Sequence, residues 1–131
     1  MSNNITQIAT TMVPVEDQDK ALAFYTDKLG FETRADIPYG NGERWIEVAP
    51  PGGASTVALT GVRVEGEWVA GRQTGISFAT TDVHADHAKL RDAGVDVDAE
   101  VSDFGGPVPP MFWLRDLDGN QLLVVGPQAE G

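Results

Sequence analysis

FWLRDLDGNQLLVV, residues 112–125, sets two apolar runs on either side of Asp116-Leu117-Asp118-Gly119-Asn120. Glycine and asparagine tolerate positive φ and carboxylates bond nearby amides, so the cluster predicts a reversal joining two antiparallel strands. Side chains alternate faces along a strand. Phe112 and Leu114 therefore share one face, with Met111, Trp113 and Arg115 on the other; past the turn, Leu122 and Val124 oppose Leu123 and Val125. Both faces of this hairpin carry apolar residues. A hairpin with one wet face alternates apolar with polar, so the second apolar face must meet a packing partner or a ligand cavity.

Upstream, Asp103 to Pro110 (DFGGPVPP) reads as a loop into the hairpin, preceded by a strand near Val95 to Val101. Asp82 can cap a helix whose inner stripe is Val83, His87 and Leu90, and Gly94 sits just past its end. Gly75 to Thr80 is a strand with Ile76 and Phe78 on one face and Gly75 and Ser77 on the other. The mixed stretch Gly61 to Thr74, which holds Trp68, connects this half to an earlier one. That earlier half opens with a β-compatible run, Ile5 to Val15, in which Pro14 weakens pairing near the end. Asp17 then caps a helix reaching about Leu29, with Ala21, Phe24, Tyr25 and Leu29 as its apolar stripe and Gly30 as its stop. Phe31 to Ile37 and Arg44 to Ala49 read as strands joined by the turn Tyr39-Gly40-Asn41-Gly42. Pro50-Pro51-Gly52-Gly53 turns the chain again into Thr56 to Leu59.

The halves repeat. Asp17 to Gly30 is echoed by Asp82 to Gly94, and Pro50-Pro51-Gly52-Gly53 by Asp116-Leu117-Asp118-Gly119, at an offset of about 65 residues. The expected fold class is α+β: two βαβββ modules, about 5–60 and 75–126, with a linker of about 61–74, forming one domain over 1–131. Each helix should cover the outer face of a cup-shaped mixed sheet. In the first module that face bears Val13, Ile46, Val48, Val57 and Leu59; in the second, Ile76, Phe78, Phe112, Leu114, Leu122 and Val124. The opposite faces should line a hollow.

With 131 residues and no cysteine, the chain suits one domain and excludes disulfides, thiolate metal sites and a cysteine nucleophile. MSNNITQIATTM lacks the basic and apolar regions of a signal peptide, and no stretch approaches a membrane span, so a cytoplasmic protein is expected. Twenty acidic against nine basic residues give a net charge of −11. Such a field repels nucleic acid and anionic membranes; it serves solubility first, and would also help to attract a cationic ligand.

VPVEDQDKALAFYTDKLGFET (13–33), with an aspartate-helix-LGF pattern, and the FWLRDLDGNQLLVV ending resemble the vicinal oxygen chelate superfamily of glyoxalase, bleomycin-resistance and extradiol dioxygenase proteins. The resemblance spans nearly the whole chain, with Leu117 where the family usually has proline. It implies the fold just read, and homodimers with pockets built between subunits. Family enzymes hold a divalent metal through His, Gln or Glu on the first strand of each module and Glu on the last. Those positions carry Thr10, Ala58, Gly75 and Leu123 here, which do not supply the imidazole, carboxylate or thiolate donors that such a site needs.

Other donors fall in less suitable places. His84 and His87 have a spacing that can chelate, but the stripe turns His87 toward the sheet and His84 toward water, so they read as structural. Asp116 and Asp118 are explained by turn capping. Glu47 falls on the hollow face beside Trp45, where burial favours a neutral carboxyl unless a cation is near. It is either a rim glutamate or an anchor for a ligand donor or cation, or a general base. Asp103-Phe104-Gly105-Gly106 is too short to be a kinase signature.

The remaining inner face is apolar and aromatic: Thr10, Met12, Trp45, Glu47, Ala58, Met111, Trp113 and Leu123, with Tyr39, Trp68 and Phe104 on adjoining loops. Such residues clamp flat ligands or fill dimer interfaces. The expected function is non-catalytic sequestration of an apolar or aromatic small molecule, such as an antibiotic, with no cofactor, no metal and no nucleic acid or membrane partner. The alternatives are a metal-dependent lyase, isomerase or dioxygenase, a metal-free enzyme using Glu47, and a dimeric interaction module filled by its own side chains.

Overall fold

The computed structural model describes residues 4–40, 42–61 and 70–127, with the backbone alone at residues 39 and 40. Trp68 and most of the expected linker therefore lie outside the described residues, as does the side chain of Tyr39. The chain divides into two compact units, residues 1–61 and 62–131.

The first unit runs β1 (Thr10–Val15), α1 (Gln18–Ala23), a π-helical turn (Phe24–Lys28), β2 (Glu32–Gly40), β3 (Glu43–Ala49) and β4 (Thr56–Gly61). Its four strands order as β1-β4-β3-β2, with β1 and β4 parallel and the other neighbours antiparallel. Asp17 caps α1 by accepting from the Lys20 amide at 3.1 Å. Ala21, Phe24 and Tyr25 are buried as the stripe requires, while Leu29 is only half-buried. After α1 the helix widens into the π-helical turn over Phe24–Lys28. The Leu29 amide reaches back to the Phe24 carbonyl at 3.3 Å, and the Thr26 hydroxyl donates to the Leu22 carbonyl at 2.8 Å. Gly30, at φ 74°, then lets the Phe31 amide close on the Tyr25 carbonyl. Gln18 fastens α1 to the sheet, its Nε2 donating to the carbonyls of Arg44 and Leu59 at 2.7 and 2.8 Å. Val13, Val15, Ile46, Val48, Val57 and Leu59 lie buried on the helix-covered face.

The second unit repeats the pattern with β5 (Gln73–Ala79), α2 (Val83–Asp92), β6 (Asp96–Val97), β7 (Met111–Arg115) and β8 (Gln121–Val125). Its order is β5-β8-β7-β6, again with the outer pair β5 and β8 parallel. Asp82 caps α2 through the Ala85 amide at 3.0 Å. Gly94 ends it at φ 84°, with the Val95 amide returning to the Leu90 carbonyl. The expected α+β fold of two βαβββ modules is therefore what the chain adopts.

Four expectations shift in detail. The first strand begins at Thr10 rather than Ile5, and Ile5 and Ile8 stand exposed. A β-compatible run alone makes no strand without a partner, and β4 only reaches Thr10. The second strand continues past Ile37 to Gly40. The strand near Val95 to Val101 shrinks to Asp96–Val97 plus a lone bridge between Ser102 and Met111. Ile76 and Phe78 are half-buried, because α2 packs over β6 and β7 and β5 lies at the far edge. Within β5, Gly75 takes φ 75° and the pairing slips between Gln73 and Ser77.

The hairpin of β7 and β8 pairs Met111 with Val125 through to Arg115 with Gln121. Its turn is tied by two polar side chains that are themselves buried. Asp116 Oδ1 accepts from the amides of Asp118 and Asn120 at 2.9 and 3.0 Å, and Oδ2 from Asn120 Nδ2 at 3.0 Å. Asn120, 0% exposed, receives the Gly71 amide on its own Oδ1 at 2.8 Å. The carboxamide thus pins the entry to β5 against the turn, and Asp116 caps the turn as expected, with Asp118 giving it a backbone amide. Removing the carboxamide takes a partner from the buried Asp116 carboxylate and from the Gly71 amide at once. Asn120→Ala should cost about 2–3 kcal/mol, read from urea midpoints, whereas Leu117→Ala, at the exposed tip of the same turn, should stay within about 0.5 kcal/mol. Equal losses would mean that the turn's side chains, and not the buried carboxamide, set its stability.

Candidate functional site

Each sheet has one face under its helix and one face without, and of the candidate binding residues Met12, Trp45, Glu47, Met111, Trp113 and Leu123 fall on the second. In the first unit the register places Met12, Ala58, Glu47 and Ala35 in a row across β1, β4, β3 and β2, with Trp45 opposite Ile37 in the adjoining row. Met12 is 50% exposed and Ile37 56% exposed, whereas Ala58 is fully buried.

Glu47 and Trp45 meet as expected, but the chemistry differs from the expectation. The indole Nε1–H donates to Glu47 Oε2 at 2.7 Å, and the Thr56 hydroxyl donates to Oε1. These two bonds, Thr56 first and Trp45 second, hold the carboxyl below the ordinary glutamate range and outweigh the smaller opposing effect of burial. Neutral donors therefore keep Glu47 charged, and no cation is required to do so. Thr56 carries no functional signal in the sequence. It reaches Glu47 because it sits two residues before Ala58 on β4, a relation that only the strand register reveals. Its carbonyl also accepts from the Thr10 hydroxyl at 3.1 Å.

In the second unit Ser77, Leu123 and Trp113 form one row, and Ala79, Val125 and Met111 the next. Trp113 is held from the strand edge by Asp98. Its amide donates to Asp98 Oδ2 at 2.9 Å, its carbonyl accepts from the Asp98 amide at 3.0 Å, and Asp98 Oδ1 accepts from Arg115 Nη2 at 2.8 Å. The carboxylate replaces a backbone acceptor just where β6 stops. This role too leaves no trace in the sequence, since an aspartate after a valine gives no sign of a missing strand partner.

Phe104 stands in its loop 74% exposed, so it is not packed against either face, and Asp103 caps the Gly105 amide beside it. His87 is buried, edge-on to Phe112 at 5.1 Å, with Nε2 at 2.7 Å from the Asp98 carbonyl. His84 is exposed, 3.9 Å from Asp103. His87 thus turns toward the sheet and His84 toward water, as the stripe requires.

The four family metal positions do not fit a metal. Thr10 commits its hydroxyl to the Thr56 carbonyl, Ala58 and Leu123 end in methyl groups, and Gly75 has no side chain. Among the described residues, no group of three His, Cys, Asp or Glu side chains could hold an ion. No helix among the described residues is long and apolar enough to cross a membrane.

A family model described as the Glyoxalase/Bleomycin resistance protein/Dioxygenase superfamily matches residues 7–124. YetH of Bacillus subtilis (strain 168) is 34% identical over 125 residues, covering 92% of this chain and 98% of that one. A solved member of the same superfamily from Sphaerobacter thermophilus superposes with a TM-score of 0.86 at 32% identity, covering 94% of this chain and 98% of that one. TnmS3, an antibiotic binding protein from Streptomyces sp. CB03234, gives a TM-score of 0.81 at 33% identity, covering 97% of this chain and 100% of its own.

The state of Glu47 makes a pH prediction whose sign follows from the direction of the shift. A carboxyl whose folded pKa is depressed contributes stability that is present above the ordinary value, 4.5, and lost as pH falls through the folded value. Glu47→Gln should therefore lower unfolding free energy more at neutral pH than in acid, with the gap to the wild type narrowing below that ordinary value. A gap equally wide at both ends of a urea titration series would show that the two bonds do not depend on the charge.

Proposed function

Because the chain belongs to the glyoxalase/bleomycin resistance protein/dioxygenase superfamily, whose model spans residues 7–124, we propose that it binds and sequesters a planar aromatic or apolar small molecule, with antibiotics as the leading class of guest. The observation that carries this reading is the makeup of the faces that the helices leave uncovered. Trp45 and Met12 stand on one, and Met111, Trp113 and Leu123 on the other. Large flat and polarisable side chains on a rigid sheet make a low-entropy surface for a flat guest, because the strands have already fixed them. The likeness to TnmS3 supports the same reading, since that protein binds an antibiotic and the identity runs along nearly the full chain.

Two features weigh against turnover as the main activity. The family's metal positions hold side chains without suitable donors, which leaves a metal-assisted step without ligands at those places. Glu47, the remaining candidate base, is held below the ordinary carboxyl range with both oxygens engaged, which makes it a weak proton acceptor near neutral pH. The family resemblance supports a homodimer whose pockets draw on both copies.

The test is tryptophan fluorescence against a panel of aromatic antibiotics, with metal content measured on the same sample. A saturable quench unaffected by chelator is expected for at least one compound. Trp113→Ala should weaken that binding roughly tenfold, a larger change than its effect on the urea midpoint would explain. Unchanged affinity in a folded Trp113→Ala protein removes that indole from the site. A stoichiometric, tightly held transition metal overturns the non-catalytic reading.

A further inference from the structure

Resting on the ligand-binding reading above, we propose that Glu47 is a fixed anionic anchor, and that the guest is a planar aromatic molecule carrying a cationic group at its edge. An ionised carboxylate offers about four acceptor sites. Thr56 and Trp45 take one on each oxygen, which leaves acceptor capacity on both. In the register, Glu47 is flanked by Ala58 on β4 and Ala35 on β2, side chains that end at Cβ and do not overhang the carboxylate from within the sheet.

Among the described residues no cation pairs with Glu47. Arg44, on the same strand, is turned to Asp19 and Asp36, and Arg34 to Glu32. The charge is thus kept, half-buried and oriented, without being neutralised. A surface glutamate could swing away at little cost. This one is held by an indole and a hydroxyl that are set by their own strands, so a guest meets it without ordering it first. The indole meets the carboxylate with its N–H edge. A flat cation gains a charge-assisted hydrogen bond there, whereas an anion meets like charge.

The experiment uses three matched tricyclic probes: aminomethylanthracene, hydroxymethylanthracene and anthracenecarboxylate, followed by tryptophan quenching and by probe anisotropy. In the wild type the cationic probe should bind tightest and the anionic one weakest. Glu47→Gln should cut the preference for the cationic over the neutral probe about tenfold while leaving the neutral probe within about threefold. Glu43→Gln removes the same charge from an exposed position of the same strand, and should leave that preference unchanged, separating the local carboxylate from the field of the whole acidic chain.

An unchanged preference in Glu47→Gln, or an equal drop in Glu43→Gln, overturns the anchor while the ligand-binding reading stands. If none of these probes and no aromatic antibiotic binds the wild type, both fail together. Should Glu47→Gln not fold, Glu47→Asp draws the charge back by one methylene. The cationic probe should then weaken severalfold with the neutral probe unmoved, and parallel changes in the two would again overturn the anchor.

Discussion

Each four-stranded sheet here has a single helix to cover it, and one helix covers one face. The strands nevertheless carry apolar residues on both faces, because alternation sends Trp113 and Leu123 away from the side that buries Phe112, Leu114, Leu122 and Val124. Helix attachment therefore divides the chain's apolar residues into two populations with different uses. Gln18 makes the division firm in the first unit by bonding two strands at once, and the stripe of Val83, His87 and Leu90 does so in the second. What remains on the other faces includes the aromatic and sulfur-bearing side chains Trp45, Trp113, Met12 and Met111, together with the oriented charge of Glu47.

That charge shows how a polar group is kept in apolar company. Burial alone would have driven Glu47 toward its neutral form, and a cation would have cancelled it. Two neutral donors do neither; they stabilise the anion and fix its direction. Asp98 solves a related problem differently. Where the edge strand stops early, its carboxylate stands in for a missing backbone acceptor and so keeps Trp113 in register.

The fold was largely legible because its signals are local. Capping aspartates at Asp17 and Asp82, helix-stopping glycines at Gly30 and Gly94, and the polar turn after Arg115 each act within a few residues, so they can be read without knowing what lies across the sheet. The faces were legible for the same reason, since alternation is a property of one strand. What escaped the sequence was set by pairing. Thr56 reaches Glu47 only through the register of β3 on β4, the early end of β6 depends on a side chain competing with a backbone, and the exposed Ile5 and Ile8 show that a β-prone run needs a neighbour. The widened turn in the first helix, where the Leu29 amide reaches five residues back and the Thr26 hydroxyl bonds the Leu22 carbonyl, is likewise something that apolar periodicity does not register.

All four outer strands are interrupted. β1 carries Pro14, which has no amide hydrogen to offer; β2 slips register twice and holds Pro38; β5 is kinked at Gly75; β6 is two residues long. A stray extended peptide laid against any of them would find too few consecutive partners to zip onto. A chain whose sheets carry apolar residues on both faces runs a standing risk of sticking to itself, and these frayed margins close the easiest route to fibrils.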